Sequence, residues 1–184
     1  MKRLALLWGA VLLFAGLASA QDEAPKIEAF GGYSFLRVNP GYSAPGLNFN
    51  GGSGSLAYNL TPRFGIVGDF GGYHWSQTGA DATVVTYLFG PKVALRHGPF
   101  TPFVQALFGG AHLSGTCSLN GCGVGSTTQN AFAMALGGGL DWNATEHFGI
   151  RVVQAEYLLT RFGVFNPTDT QNNARISTGV VFRW

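Results

Sequence analysis

The segment RISTGVVFRW, residues 175–184, decides the fold. Every second residue back from the end is apolar or can face lipid, and these residues are Trp184, Phe182, Val180, Thr178 and Ile176. The residues between them are small or charged, except Val181. Because successive side chains point to opposite faces of a strand, the segment is predicted to be one strand with two chemically different faces.

Seven earlier stretches alternate in the same manner. With the last segment they make eight predicted strands, at residues 26–38, 48–60, 64–75, 83–96, 101–113, 130–143, 148–160 and 175–184. An amphipathic strand with a free edge tends to aggregate, so we expect the last strand to pair with the first and close a barrel. The predicted connections alternate between long ones, at 39–47, 76–82, 114–129 and 161–174, and short ones, at 61–63, 97–99 and 144–146.

The first 20 residues have the pattern of a secretory signal peptide. Residues 2–3 are basic, residues 4–17 are an apolar run, and residues 18–20 are the small residues ASA. The run is too short for a membrane-spanning helix, which needs about 20 apolar residues. We therefore predict a signal peptide at residues 1–20 and one exported domain at residues 21–184.

Charged residues make up only 11% of the chain, whereas soluble domains average about 25%. Once Lys2 and Arg3 leave with the leader, 9 basic residues (11 − 2) balance 9 acidic ones. A neutral chain without a basic stripe lacks the electrostatic footprint of a nucleic-acid-binding protein. The scarcity of charge indicates that something other than water covers much of the protein surface.

Side-chain size indicates which strand face points outward. In the sixth stretch one face carries Phe132, Met134, Leu136, Gly138, Leu140 and Trp142, and the other carries Ala131, Ala133, Ala135, Gly137, Gly139 and Asp141. The interior of an eight-stranded barrel is only wide enough for side chains to fill it, so the smaller residues suit the inside. We therefore predict that the apolar face points outward. The alternative is a soluble calyx with its apolar face inward.

The alternating strands, the sorted connections, the 28 glycines and the terminal aromatic residue resemble the bacterial outer-membrane β-barrel family, in particular its OmpA/OmpX-like barrel domain. The resemblance implies an all-β fold: a single eight-stranded antiparallel up-and-down transmembrane β-barrel with short periplasmic turns and longer external loops. It implies an outer-membrane location, with lipid and lipopolysaccharide around the barrel. It also implies that Val180, Phe182 and Trp184 form the C-terminal signal read by the barrel assembly machinery.

Seven charged residues on the predicted strands fall mainly on the lumen face: Glu28, Asp69, Lys92, Asp141, Glu156, Arg175 and Arg183. An isolated buried ion costs several kcal/mol, so these charges need partners. We predict a network of salt bridges that seals the lumen, and a narrow ion path is the alternative. An open aqueous pore is not expected, because it takes about 16 strands.

Two positions break the strand pattern. Pro91 cannot donate a hydrogen bond to a strand ladder, so we expect a bulge or a locally broken bond there. Arg151 has the opposite parity to Gln154 and Glu156. This difference in parity places Arg151 near the periplasmic rim or beside a bulge.

Aromatic residues gather near both ends of the predicted strands. Those toward the short turns are Tyr58, Phe64, Phe103, Trp142, Phe148 and Trp184. Those toward the long loops are Tyr33, Phe35, Tyr73, Trp75, Tyr87, Tyr157 and Phe162. The two groups are predicted to form the interfacial girdles of a barrel with an apolar band about 25 Å tall. Aromatic packing in a core is the alternative.

Two cysteines, Cys117 and Cys122, lie in the fifth predicted connection. In an exported protein such a pair is predicted to form a disulfide. A zinc site that also used His112 would be short of ligands. No metal or other cofactor is therefore predicted.

His112 and Ser114 lie two residues apart on one face, as a lipid esterase pair would. Such a pair needs a carboxylate that orients the histidine, and only Asp81 and Asp169 are candidates, both in predicted loops. We therefore predict a monomeric, non-enzymatic protein of the outer membrane that acts through its external loops. The alternatives are a hydrolase or acyltransferase acting on lipid A or phospholipid, and a narrow minor channel.

Overall fold

The computed structural model describes residues 25–39, 46–77, 79–117, 125–162 and 170–184, and the predicted signal peptide lies outside these ranges. The described residues form eight strands: β1 Ile27–Val38, β2 Leu47–Asn59, β3 Phe64–Gln77, β4 Ala80–Ala94, β5 Phe100–Cys117, β6 Gly125–Asn143, β7 Phe148–Thr160 and β8 Gln171–Arg183. Within these ranges no helix has the length and hydrophobicity to cross a membrane.

The eight strands close into one barrel. Each strand pairs antiparallel with the next along the chain, and β8 pairs antiparallel with β1. Phe182 lies opposite Ala29, and Ile176 lies opposite Phe35. This closure leaves no strand edge free for pairing with another chain. It confirms the predicted all-β, eight-stranded, up-and-down barrel.

The connections define two ends of the barrel. We call the end with connections 60–63, 95–99 and 144–147 the turn end, and the opposite end the loop end. The predicted sorting of connections by length is wrong at the third one, because only residues 78–79 separate β3 from β4. The fifth connection also shortens, to residues 118–124. The cause is that strands continue past the apolar band, where their outward side chains are polar and resemble loop sequence.

The apolar face of the strands points outward, as predicted. Phe182 and Trp184 are 44% and 62% exposed, whereas Arg183 between them is 4% exposed. The same contrast holds for Leu136, which is 57% exposed, and Asp141, which is fully buried. A soluble calyx would show the reverse, so this alternative is wrong.

A β-bulge in β7 explains the broken alternation at Arg151. The register shifts between Arg151 and Gln154 against β8, and both residues are buried. Val152 and Val153 lie between them, and both are exposed. Because the extra residue lets two consecutive side chains face outward, the residues on either side both face inward. Arg151 therefore lies beside a bulge, inside the barrel.

Pro91 interrupts the ladder between β4 and β5 without shifting it. Phe89 pairs with Phe108 and Lys92 pairs with Gln105, in one register, but the pairing lapses at Gly90 and Pro91. The expected local break is therefore present on this side of β4, and no bulge accompanies it.

Part of the predicted aromatic girdles lies inside the barrel instead. Phe103, Tyr73 and Phe162 are 3%, 1% and 4% exposed, and Trp75 packs against the interior apolar cluster. The prediction was wrong here because it used the position along each strand and ignored the face. Other members do lie on the outer surface: Tyr33, Tyr58, Tyr87, Trp142, Tyr157 and Trp184.

Gly31 and Gly32 provide a matched test of how closely β1 and β8 approach. A Cβ at Gly32 would lie 2.1 Å from the carbonyl oxygen of Thr178, whereas a Cβ at Gly31 would meet nothing within 4 Å. Gly32→Ala is expected to lower the free energy of unfolding by about 1–3 kcal/mol, the usual cost of overpacking. Gly31→Ala should change it by less than about 0.5 kcal/mol. Urea titration of the refolded barrel in micelles measures both values, and equal losses would contradict the packing argument.

Candidate functional site

The barrel interior contains two chemically different layers. Toward the turn end and at mid-height lies the ionic layer, formed by Glu28, Asp69, Lys92, Arg96, Gln105, Asp141, Arg151, Gln154, Glu156, Arg175 and Arg183. Toward the loop end lies the apolar cap, formed by Leu36, Phe49, Tyr73, Val84, Leu88, Leu107, Leu158 and Phe162. All of these side chains are buried except Arg96, of which 18% is exposed.

Glu28 forms ion pairs with basic side chains at the turn end of the ionic layer. Its Oε2 accepts a hydrogen bond of 2.6 Å from Lys92 Nζ, and its Oε1 accepts one from the Arg96 guanidinium. Asn59 Nδ2 donates to the same Oε1 at 3.1 Å. Because β1 and β4 are not neighbouring strands, the contact between Lys92 and Glu28 crosses the lumen.

Asp141 binds two arginines. Arg151 donates from Nε to Oδ1 at 2.8 Å and from Nη2 to Oδ2 at 3.2 Å, and Arg183 donates to Oδ2 at 3.0 Å. The Arg151 guanidinium also lies 4.2 Å from the ring centre of Phe30 and 4.4 Å from that of Phe103. Two-point binding of a carboxylate together with two aromatic faces requires a planar guanidinium, so lysine could not replace Arg151.

Arg175 joins two carboxylates at mid-height. Its Nη1 donates to Asp69 Oδ1 at 2.6 Å, and its Nε donates to Glu156 Oε2 at 2.6 Å. Tyr73 accepts a further bond of 3.1 Å from Nη1 through its hydroxyl oxygen. Arg175 is fully buried, so these partners take the place of water around its Nε and Nη1, while its Nη2 lies 2.6 Å from Glu156 Oε2 without a well-aligned hydrogen bond.

Amide side chains connect these groups into one network. Gln154 accepts a bond of 2.6 Å from Arg151 and donates one of 2.8 Å to Glu156, to which Gln105 also donates at 2.9 Å. Arg183, whose Nε lies 3.9 Å from Glu28, links the turn-end group to Asp141. The structure thus places all seven predicted lumen charges inside the barrel, each beside an opposite charge, and Arg151 and Gln154 join them into one network.

Sequence reasoning missed several members of the network. Arg151 was assigned to a rim or a bulge, and Gln105, Gln154 and Arg96 were not counted with the charges. The signal was present in the RVVQ motif of β7, residues 151–154. Two adjacent β-branched residues between two polar ones indicate a bulge that turns both polar side chains inward.

The apolar cap fills the interior at the loop end. It draws residues from β1 to β5, from β7, and Phe162 just beyond β7. Leu158, Leu88 and Leu107 are each 0% exposed. The ring centroids of Phe49 and Trp75 lie 6.3 Å apart. Sequence reasoning predicted a seal made of ion pairs alone and did not predict this layer.

The candidate esterase residues do not form a catalytic triad in the structure. His112 Nδ1 lies 2.7 Å from Asn130 Oδ1, and no hydrogen bond among the described residues joins His112 to Ser114. Asp81 lies 3.9 Å from His74 instead. Asp169, the other candidate carboxylate, lies outside the described residues.

The proposed assembly signal lies on the outer surface beside the turn end. Val180, Phe182 and Trp184 are 38%, 44% and 62% exposed. The Phe182 ring stacks on Trp184 at 6.4 Å, so the last residues form one aromatic surface. The disulfide between Cys117 and Cys122 stays a prediction, because Cys122 and the side chain of Cys117 lie outside the described part of the protein.

Comparison with known families gives a match over nearly the whole chain. The family described as outer membrane protein beta-barrel domain matches residues 6–183. A search of curated protein sequences gives no match.

Solved structures with the same fold come from several bacteria. Neisserial surface protein A superposes with a TM-score of 0.65 at 13% identity, over 89% of this chain and 100% of that one. The attachment invasion locus protein Ail of Yersinia pestis, in complex with the heparin analogue sucrose octasulfate, gives 0.60 at 19% identity, over 86% and 99%. OprG of Pseudomonas aeruginosa gives 0.57 at 10% identity, over 88% and 96%. At these identities the likeness is one of fold.

Proposed function

The chain belongs to the outer membrane protein beta-barrel domain family, and from that premise we propose that it is an integral outer-membrane protein that presents surface segments on a sealed barrel. The observation that carries the proposal is the filled interior. The apolar cap and the ionic layer together occupy the lumen from the loop end to the turn end. Such a barrel offers a rigid membrane anchor and no aqueous path.

The connections at the loop end are the proposed working surface. Residues 39–46, 118–124 and 161–170 connect strands there, and each is longer than the third connection at 78–79. Segments that a rigid scaffold positions are where binding residues concentrate. We therefore assign to these three connections a role in contacts outside the cell.

The outer surface of the barrel suits contact with two proposed partners, the membrane lipids and the barrel assembly machinery. Exposed apolar side chains such as Leu56, Phe70 and Val104 suit the acyl chains of the outer-membrane lipids, including lipopolysaccharide. The outward series of Val180, Phe182 and Trp184 suits recognition by the barrel assembly machinery before the barrel closes. Neither contact requires a second copy of the chain, so we propose that the protein is a monomer.

We propose that the protein is not an enzyme. His112 has an amide oxygen as its ring partner, and Ser114 lacks the hydrogen bond to His112 that would activate it as a nucleophile. Acyl transfer to or from outer-membrane lipids would therefore lack its base. Lipid profiles of cells that express the wild type and His112→Ala should be identical, and a difference would favour the enzyme.

A conductance measurement tests the sealed barrel. The refolded wild-type protein, inserted into a planar lipid bilayer, is expected to give no current steps above the bare bilayer. An eight-stranded interior filled by side chains leaves no room for hydrated ions. Regular steps from protein recovered in the outer-membrane fraction would contradict the sealed barrel and favour the narrow channel.

A further inference from the structure

A polar patch lies on the outer surface of the barrel at the loop end. It consists of Asp81, Thr83, Ser114, Thr116, Ser126 and Thr128, and we call it the hydroxyl patch. In one row Thr116 lies opposite both Asp81 and Ser126; in the next row Ser114 lies opposite both Thr83 and Thr128. Directly opposed residues of neighbouring strands point to the same face. The patch is therefore two rows deep and three strands wide.

The hydroxyl patch continues the lipid-facing surface of the barrel. On β4, the outward residues Val85, Tyr87 and Phe89 precede it toward the turn end, and they are 42%, 40% and 51% exposed. On β5 and β6, His112 and Asn130 form the row between the apolar residues and the patch. A change from apolar to polar at one level of adjacent strands marks the border between acyl chains and headgroups. The patch therefore faces the headgroup layer.

Four of the five hydroxyl groups of the patch have no partner among the described residues, whereas the Thr83 hydroxyl lies 3.1 Å from His74 Nδ1. The side-chain hydroxyls of Ser114, Thr116, Ser126 and Thr128 make no hydrogen bond with any described residue. Together with Asp81 and Thr83 they line a shallow cavity of about 160 Å³. Each hydroxyl can both donate and accept a hydrogen bond, and the Asp81 carboxylate can only accept.

The charge of the patch selects among headgroups. Its six residues include no lysine or arginine, and their one ionisable group is Asp81, a carboxylate that lies 3.9 Å from His74 Nε2 and would repel a phosphate. Of the exposed arginines toward the loop end, Arg37 lies on β1, away from β4 to β6. Arg161 lies beside β6, where its backbone N–H donates to the Phe132 carbonyl, on the turn-end side of Thr128. Clustered hydroxyl donors and acceptors with no lysine or arginine among them complement the hydroxyl groups of a neutral sugar.

We propose that the hydroxyl patch binds the sugar headgroup of an outer-leaflet glycolipid. The inference rests on the proposed outer-membrane location, because only a membrane-embedded barrel presents this face to headgroups. The acyl chains of the lipid lie along Val85, Tyr87 and Phe89, and the sugar reaches the cavity between β4 and β6. Contact with both parts of one molecule distinguishes a glycolipid from a free sugar.

Retention of a neutral glycolipid tests the proposal. The barrel is reconstituted in phosphatidylcholine bilayers that contain digalactosyl diacylglycerol, and mass spectrometry of the purified protein counts the retained lipids. The variant Ser114→Ala/Thr116→Val/Thr128→Val is expected to bind the glycolipid about tenfold more weakly or worse, because each lost hydrogen bond lowers affinity by a factor of about 2 to 10. No described residue is bonded to these three hydroxyls, so the variant should fold normally.

Three controls make the result decisive. Arg37→Gln, on β1 and away from the patch strands, should retain the glycolipid as the wild type does. Retention of phosphatidylglycerol should be the same in the triple variant and the wild type. Equal glycolipid retention by the triple variant would overturn the proposal, and so would displacement by an equal concentration of soluble galactobiose. A conducting wild-type barrel contradicts only the sealed interior, so the two failures are distinguishable.

Discussion

Replacing Arg175 with methionine is expected to lower the free energy of unfolding by about 3–5 kcal/mol, the cost of removing one partner from a buried ion pair. Arg175 is fully buried and donates to both Asp69 and Glu156. Without the guanidinium, Asp69 has no cation within hydrogen-bond distance among the described residues, and its Oδ2 already lacks a partner. Urea unfolding of the refolded barrel in micelles measures the loss.

A compensated variant separates lost charge pairing from lost packing. Arg175→Met/Asp69→Asn/Glu156→Gln removes all three charges at nearly constant volume, and it should recover most of the stability that the single variant loses. Arg37→Met, at an exposed position of β1, should change the free energy of unfolding by less than about 0.5 kcal/mol. Equal losses in the single and triple variants would show that packing, and not the unpaired carboxylates, sets the cost.

The barrel itself could be predicted because its signal is local. A period of two in residues 175–184, with apolar side chains outward, follows from the sequence of that strand alone. The parity of each strand also assigns Glu28, Asp69 and Lys92 to the lumen face without knowledge of any partner. These inferences need no information about how far apart the strands lie.

The pairing of the interior charges could not be predicted in the same way. Arg175 meets Asp69 across 106 positions of sequence, from β8 to β3. Such a contact depends on the barrel diameter and on the stagger of the strands, which no single strand encodes. Arg151 depends in addition on a bulge, and a bulge changes the face of every residue on one side of it.

The interior aromatic residues were missed because position along a strand and face were treated as one property. Tyr73 has the parity of Asp69, and Phe103 has that of Gln105, so both could have been assigned to the interior. Their distance from the strand centre suggested a girdle instead. The role of an aromatic residue should therefore be predicted first from the strand face on which it lies, and only then from its position along the barrel axis.

Wetting the apolar cap is expected to open the lumen, whereas neutralising ion pairs is not. Leu36→Asn/Leu158→Asn replaces two apolar side chains with smaller polar ones, so water gains both space and hydrogen-bond partners inside the cap. Apolar constrictions block ions by excluding water. Lowering that barrier by about 1.4 kcal/mol speeds passage about tenfold, so the ion leak of liposomes that contain the variant should rise by at least about that factor over the wild type. Heat-modifiable mobility on a gel selects the folded fraction for the assay.

The matched control lies in the ionic layer. Glu28→Gln/Lys92→Gln replaces a buried pair near the turn end with neutral groups of similar length and leaves the cap intact. If the cap is the seal, this variant leaks no faster than the wild type, because polar side chains already line that layer and water can enter it without crossing the barrel. A leak from the Glu28 and Lys92 variant, with none from the cap variant, would instead place the seal in the ion pairs. Both the apolar cap and the ionic layer are buried, so burial alone does not show which of them blocks ions. The difference in ion leak between the two variants does.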